Sequence, residues 1–495
     1  MRKAVAVAVA LVALGGALVA WAEPRPDPAD AVRDGCGTDR FAIFNRLEPN
    51  WAYVYDRNTK ASDPSPAGHW ASGVALPGDD SPLGVHPTPV DDPITHDAYD
   101  FLINLRTNEP DDYLLGGDEN ARTGNFEGTD EESARLHMER EEVGIPFPVW
   151  PEQGDRVQAY GSWVWDCEHF AGGGARTEFH PIRAFWAERR SSPHSPTGEA
   201  EASLWYSNVK TAAGVLADCA HQTKGDREAF RTCQTTERSS STFADTGSKT
   251  FVLKAPPRPV PGARLRARLV NVGSSRGSPR PQLKLAGNRV QVRLALVSGR
   301  AVRVAYNVFV GWTPVPARLR PRHLRVQLEE LLVRRAMDPS CTTTQPDCPA
   351  AVETTQLGQN ATAPGEWALY LDVGGIWTHV RPLVLRVRDG QRVRLRQRFD
   401  LFVPRGRSWR LAAFTRECDF GFPTFSRMDR AVYPCPHTAE FGHPTGDDRP
   451  GYLAVPGALG LHRTNALLED STCPPVNKNG CYRLTWRVTE VRGPG

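Results

Sequence analysis

The chain has 495 residues, a formal net charge of +3, 24% charged and 40% hydrophobic side chains, and 10 cysteines. Such a length holds two or three domains. Beyond residue 22 no stretch is long and apolar enough to cross a membrane, and no C-x-x-C pair exists, which argues against a zinc ribbon or a thioredoxin-like redox site. The near-neutral total hides an asymmetry. Residues 23–150 carry about 10 basic and 26 acidic side chains, whereas residues 251–412 carry about 28 and 9. The two regions can attract each other, or their charge can simply face solvent.

Arg2 and Lys3 precede an apolar run that starts at Ala4, and Ala20-Trp21-Ala22 is a small-x-small cleavage pattern. This predicts a signal peptide over 1–22 and export to an extracellular setting. The 4 methionines, and few lysines against many arginines, suit a high-GC bacterial gene. Residues 23–35 are polar and Pro-rich and read as loose. From Cys36 to about residue 98 the chain is rich in Gly, Pro and Asp, the pattern of short strands and long loops. "DFLINL" alternates Phe101, Ile103 and Leu105 on one face, as a half-buried strand does. "TDEESARLHMEREEV" is ambiguous: Thr129 with Glu132 forms a capping-box pattern for a helix, yet the stretch alternates from Leu136 onward.

"GDRVQAYGSWVWD" (residues 154–166) predicts a long strand, and "RTEFHPIRAFW" (176–186) its partner across a glycine-rich loop. Val209, Ala213, Leu216 and Ala220 then repeat at helical spacing. Residues 36–236 are therefore read as a β-rich domain with a helical hairpin inserted at 205–235. Ser/Thr-rich and Pro-rich sequence marks 237–262 as a linker. Beyond it, arginine or polar residues alternate with apolar ones in run after run, as in antiparallel sheets with one wet face. We read a small β unit at 263–318 and a β-sandwich at 319–495. The fold class expected is mainly β: an N-terminal β-rich domain, then antiparallel sandwich units.

An even cysteine count in an exported chain favours disulfides over metal thiolates. Chain proximity suggests Cys219 with Cys233, Cys341 with Cys348, Cys418 with Cys435, and Cys473 with Cys481. Cys36 and Cys167 remain as the fifth pair.

The 163–186 stretch is the densest in chemistry. Strand side chains alternate faces, so Asp166 shares a face with Val164, and Arg176 with Glu178 and His180. With the loop centred near Gly172, Asp166 lies across from Glu178 and Val164 across from His180. Trp163, Trp165 and Phe179 fall on the other side. Opposed carboxylates repel unless they share a proton or meet a cation, so Asp166 and Glu178 are the candidate catalytic pair. His169, at the start of the loop, can fold over them. His169, Glu178 and His180 then form a candidate site for a divalent metal of zinc or iron type, with a position left for water. The rival reading is a polar network that merely ties the hairpin. His96 and Asp100, one face of "HDAYD", are candidate additional members.

Gly161, Trp163, Val164, Asp166, Cys167, His169, Thr177, Glu178, His180 and Pro181 spell G-x-W-V-x-D-C-x-H…T-E-x-H-P. This pattern resembles one in uncharacterised secreted bacterial proteins. The resemblance implies a shared fold element and carries no activity. No G-x-S-x-G elbow, P-loop or dinucleotide fingerprint occurs in its structural context. The arginine-rich strands suit an anionic envelope polymer such as a wall glycan. Few aromatics interleave with those arginines, which argues against single-stranded nucleic acid. Two functions remain: a secreted protein with a metal-supported, hydrolytic site on the hairpin, or a non-catalytic envelope protein that binds or builds.

Overall fold

The computed structural model describes residues 51–54, 68–76, 101–115, 125, 134–140, 145–171, 174–211, 242–334, 365–381, 385–417, 451–466 and 481–491, with isolated positions between 212 and 241. Residues 1–22, expected to be a signal peptide, lie outside the described residues, as do His96, Asp100, Cys36, Cys341, Cys348, Cys418, Cys435 and Cys473.

The chain is almost all β. Its first strands are β1 (Trp51–Tyr53), β2 (His69–Leu76), β3 (Phe101–Thr107), β4 (Leu136–Arg140), β5 (Arg156–Ala171), β6 (Gly174–Glu188), β7 (Ala200–Ser207), β8 (Ser248–Lys254), β9 (Arg264–Asn271), β10 (Gln282–Ala286), β11 (Arg289–Ala295) and β12 (Arg303–Thr313). Nine of them form one sheet in the order β1-β5-β2-β3-β4-β6-β7-β12-β9. Because β5 also pairs with β6, the run β5-β2-β3-β4-β6 closes on itself. Period-2 alternation then sorts side chains into and out of the ring. Phe101, Ile103, Leu105, Leu136, Met138 and Phe179 pack into one buried core with Trp163 and Trp165. Both tryptophans and Phe179 thus sit together, as the hairpin pattern requires.

The β5–β6 register is irregular. Val164 opposes Glu178 and Asp166 opposes Arg176, with shifts between Tyr160 and Gly161, between Gly161 and Trp163, and between Asp166 and Ala171. Gly161 is needed at this bend: a Cβ there would stand 2.8 Å from Cβ of Phe179.

Strand β8 lies inside the stretch expected to be a linker. "SKTFVLK" alternates, and its buried Phe251 stacks on Trp186 with centroids 5.0 Å apart. The Ser/Thr and Pro residues that flank it hid a short strand whose two apolar side chains are enough to hold it on the sheet. It pairs with β11, and β11 with β10, in a three-stranded sheet. This sheet covers Trp186, Leu204, Tyr206 and Val304 in a second core. The strands of 263–318 are therefore shared: β9 and β12 extend the nine-stranded sheet, and β10 and β11 build its cover. Thr129 and Glu132 lie outside the described residues, and the alternating run from Leu136 forms β4.

The remaining strands are β13 (Arg322–Val333), β14 (Gly365–Val373), β15 (Ile376–His379), β16 (Leu385–Val387), β17 (Arg392–Arg394), β18 (Arg398–Val403), β19 (Arg410–Glu417), β20 (Gly451–Pro456), β21 (Gly460–Asn465) and β22 (Tyr482–Glu490). They form two five-stranded sheets, one around β13 and β22, the other around β14 and β19. Apolar residues of both sheets share a third core, as in a sandwich. Tyr370, Trp377 and Tyr452 of this half reach into the core of the first.

Val215, Cys219, Glu228, Ala229, Thr232, Cys233 and Thr236 are helical, and Cys219 is bonded to Cys233. Cys481 is also disulfide-bonded. The Cys219–Cys233 bond spans 14 residues. Replacing both cysteines by alanine should lower stability by about 3 kcal/mol, mostly by freeing the unfolded chain. Urea unfolding of the double variant measures this, and an unchanged midpoint would remove the bond's role.

Candidate metal centre

Three neighbouring strands carry one polar row. β3 runs antiparallel to β4 and sets Asn104 opposite His137. β4 runs parallel to β6 and sets His137 opposite Glu178. Alternation puts Ile103, Met138 and Phe179 into the core and turns Asn104, His137, Glu139, Glu178 and His180 the other way. That outer face is nevertheless buried: His137 is 5% exposed, Glu139 2%, Glu178 0% and His180 1%.

His137 Nδ1 lies 2.8 Å from Asn104 Oδ1, and its Nε2 3.3 Å from Glu139 Oε2. His180 Nδ1 lies 2.9 Å from Glu178 Oε1 and 3.8 Å from Glu139 Oε2. Arg176 Nε stands 3.4 Å from Glu178 Oε2. Arg140 leaves this group. Its guanidinium donates to the carbonyls of Ile182 and Val209 and lies over the Trp205 ring. Two carboxylates on one dry face need protons or cations to balance them.

The geometry suits an ion. Ligating atoms of His137, Glu139 and Glu178 all lie within 4.8 Å of one another. Ligands about 2 Å from a shared ion stand no more than about 4 Å apart, so contraction by under about 1 Å completes the contact. His137 Nε2 and Glu178 Oε2 are buried and have no hydrogen-bond partner among the described residues. They meet Glu139 and Arg176 only at ion-pair distance. One imidazole with two carboxylates is a mixed nitrogen and oxygen donor set rather than an all-oxygen cage. His180 would stand behind it and orient Glu178 through Nδ1, as outer partners of metal ligands do.

The expected set is only partly assembled. Glu178 and His180 share a face and touch. Asp166 is displaced from Glu178 by two positions, because residues between Asp166 and Ala171 are taken up by an irregularity on β5. A two-residue slip preserves the face but changes the neighbour. The side chains of Asp166, Cys167 and His169 lie outside the described residues, as do His96 and Asp100. His137 and Glu139 were not anticipated. The alternation through "LHMER" was the available signal, since it puts one imidazole and one carboxylate on a single strand face.

Among the further buried polar groups of the described residues, two bear on how the chain is held together. Arg183 lies 3.0 Å from Asp245, donates to Ser162 Oγ and lies over the Phe243 ring, while Tyr160 donates to the same Asp245 oxygen. Burial pushes the Tyr160 phenol up to about 12. This network staples the 243–245 segment to β5 and β6. The other group joins the two halves. Asp372 accepts a backbone hydrogen bond from Gly375, and the Glu152 carboxyl lies beside the same turn. Nearby, Arg189 reaches Asp155 at 3.3 Å and the carbonyl of Gly375 at 3.4 Å.

No protein-family model matches the chain. No curated protein matches it either. Among solved structures it is weakly similar to a C2 domain, with 10% identity and a TM-score of 0.17 over 34% of this chain and 99% of that one. It is also weakly similar to a structure of extended synaptotagmin 2 that contains its SMP domain and two C2 domains, with 10% identity and a TM-score of 0.19 over 79% of this chain and 83% of that one.

Proposed function

We propose that this is an exported, disulfide-bonded β-protein that holds one divalent ion of zinc or iron type through His137, Glu139 and Glu178. The ion ties β4 to β6 and stabilises the sheet. The convergence of the three ligating side chains within 4.8 Å carries the reading. Burial argues against the hydrolytic role expected of the hairpin. A catalytic metal needs an open position that substrate can reach, and these side chains are 0–7% exposed. The protein then acts by binding, as the non-catalytic alternative has it. The signal-peptide pattern and the even cysteine count support export. Glu178 belongs to the G-x-W-V-x-D-C-x-H…T-E-x-H-P pattern, so secreted proteins that share the pattern would share this ligand.

Metal analysis of the mature protein, purified without chelator, tests the reading. About one zinc or iron per chain is expected, falling to background in His137→Ala. Glu178→Gln should lose the ion as well while keeping the wild-type circular dichroism. If the wild-type protein carries no ion and added zinc or iron(II) leaves its melting temperature unchanged, the cluster is a proton-sharing network and the proposal fails.

A further inference from the structure

A cleft of about 660 Å³ opens where the two halves meet, lined on one side by Glu152, Gln153, Arg190 and Ser191, and on the other by the 401–410 and 454–456 segments. Its volume falls within the range of small-molecule sites, about 300–1,000 Å³. Its walls are tied together by a hydrogen bond of 3.0 Å from Phe402 N to the Pro193 carbonyl and by Arg189 on Gly375.

Three guanidinium groups line this cleft. Arg190 lies against Gly154, where a Cβ would stand 2.6 Å from its Nη1. Arg407 is carried on a turn closed by its own N–H to the Pro404 carbonyl, with Gly406 at a φ of 76°. Arg410 lies 3.5 Å from Asp372. Among the described residues no carboxylate pairs with Arg190 or Arg407, although ion pairs engage arginines on the sandwich strands such as Arg322, Arg392 and Arg487. The indole of Trp409 lines the same space. It lies against Gly457, where a Cβ would fall 2.0 Å from the ring, so only glycine leaves room for the indole there. Ser191, Ser408 and Gln153 add hydroxyl and amide groups to the walls.

We propose that this cleft binds a short acidic saccharide, with its carboxylates on Arg190 and Arg407 and a sugar ring on Trp409. A guanidinium grips a carboxylate through two parallel hydrogen bonds, which sets orientation as well as affinity. An indole offers a flat apolar surface to the C–H face of a sugar, and the hydroxyl and amide groups match sugar hydroxyls. A bare anion would use the arginines but leave the indole and apolar wall idle. The site is independent of the ion at His137, and its ligand would be a piece of an acidic glycan.

Calorimetric titration of the full chain as purified with trigalacturonate, repeated on Glu178→Gln, separates this from the metal reading. Binding is expected, with at least a tenfold loss in the Arg190→Ala/Arg407→Ala double variant and in Trp409→Ala. Arg322→Ala, which breaks an exposed pair with Glu490 outside the cleft, should bind as wild type. The methyl-esterified trisaccharide should bind at least tenfold more weakly than the acid. No binding of trigalacturonate, equal binding of the ester, or an unaffected double variant overturns the proposal. So does inorganic phosphate binding as tightly as the trisaccharide, which would make the cleft a plain anion site.

Discussion

Glu178→Ala should destabilise the protein by about 3–5 kcal/mol in urea unfolding, one of the largest effects of any single change outside the apolar cores. The reason is what stays behind. Glu178 is fully buried and holds His180 at 2.9 Å and Arg176 at 3.4 Å. Truncation strips both of that partner and leaves a cavity between β4 and β6. Any bound ion loses one of three ligands at the same time, so metal content should fall with stability. Glu178→Gln is the control: it keeps the shape and part of the hydrogen bonding, so its loss should be smaller while its metal content falls as far. A loss below about 1 kcal/mol in Glu178→Ala would mean that the row is not a coupled ionic network.

Stability should also fall as pH rises from about 4 to about 6, and Glu152→Gln should flatten that fall. Burial, followed by the Glu152 charge and opposed by Arg189 and two backbone N–H groups, raises the Asp155 carboxyl from 3.8 to about 6. Burial, then Asp372, likewise holds Glu152 well above its ordinary 4.5, against the pull of Arg189 and Arg410. A raised acid keeps its proton in the folded state over a window where the unfolded chain has lost it. The stability tied to that proton is full below the unfolded value and lost above the folded one. For Asp155 the window is 3.8 to about 6 and the change is on the order of 3 kcal/mol. Glutamine at 152 cannot ionise, so it removes the residue's own share and the charge that lifts Asp155. It also costs Arg189 one anionic neighbour, but Asp155 and Glu201 remain. Neutral-pH stability should therefore rise. Melting curves of both proteins from pH 4 to 8 decide it, and parallel curves would show that Glu152 does not titrate with folding.

Strand content was legible because alternation is local. "DFLINL", the hairpin strands and the arginine-striped runs of the second half each declare a buried and a wet face within a few residues. Face assignment survived too: Trp163, Trp165 and Phe179 belong to one core, and Glu178 and His180 turn away from it. Propensity misled where context was stronger. The Ser/Thr and Pro flanks of Ser248–Lys254 suggested a linker, yet burial of Phe251 and Leu253 makes a strand.

Partnership between distant segments was not legible, for it is set by packing across the whole sheet. Nothing local to Glu178 says that its neighbour is His137 on a parallel strand rather than Asp166 across the hairpin. The irregularity near Ala171 moves Asp166 by two positions, and a slip of two leaves no trace in a period-2 pattern. Ring closure through β5 and β6 likewise brings β4 beside β6. The cleft belongs to the same class of fact. Nothing in the sequence singles out Arg190 or Arg407, and they share a cavity only because the two halves dock through Tyr370, Trp377 and Tyr452. Alternation assigns each side chain a face, whereas the identity of the group it meets there depends on which strands the closed fold sets side by side.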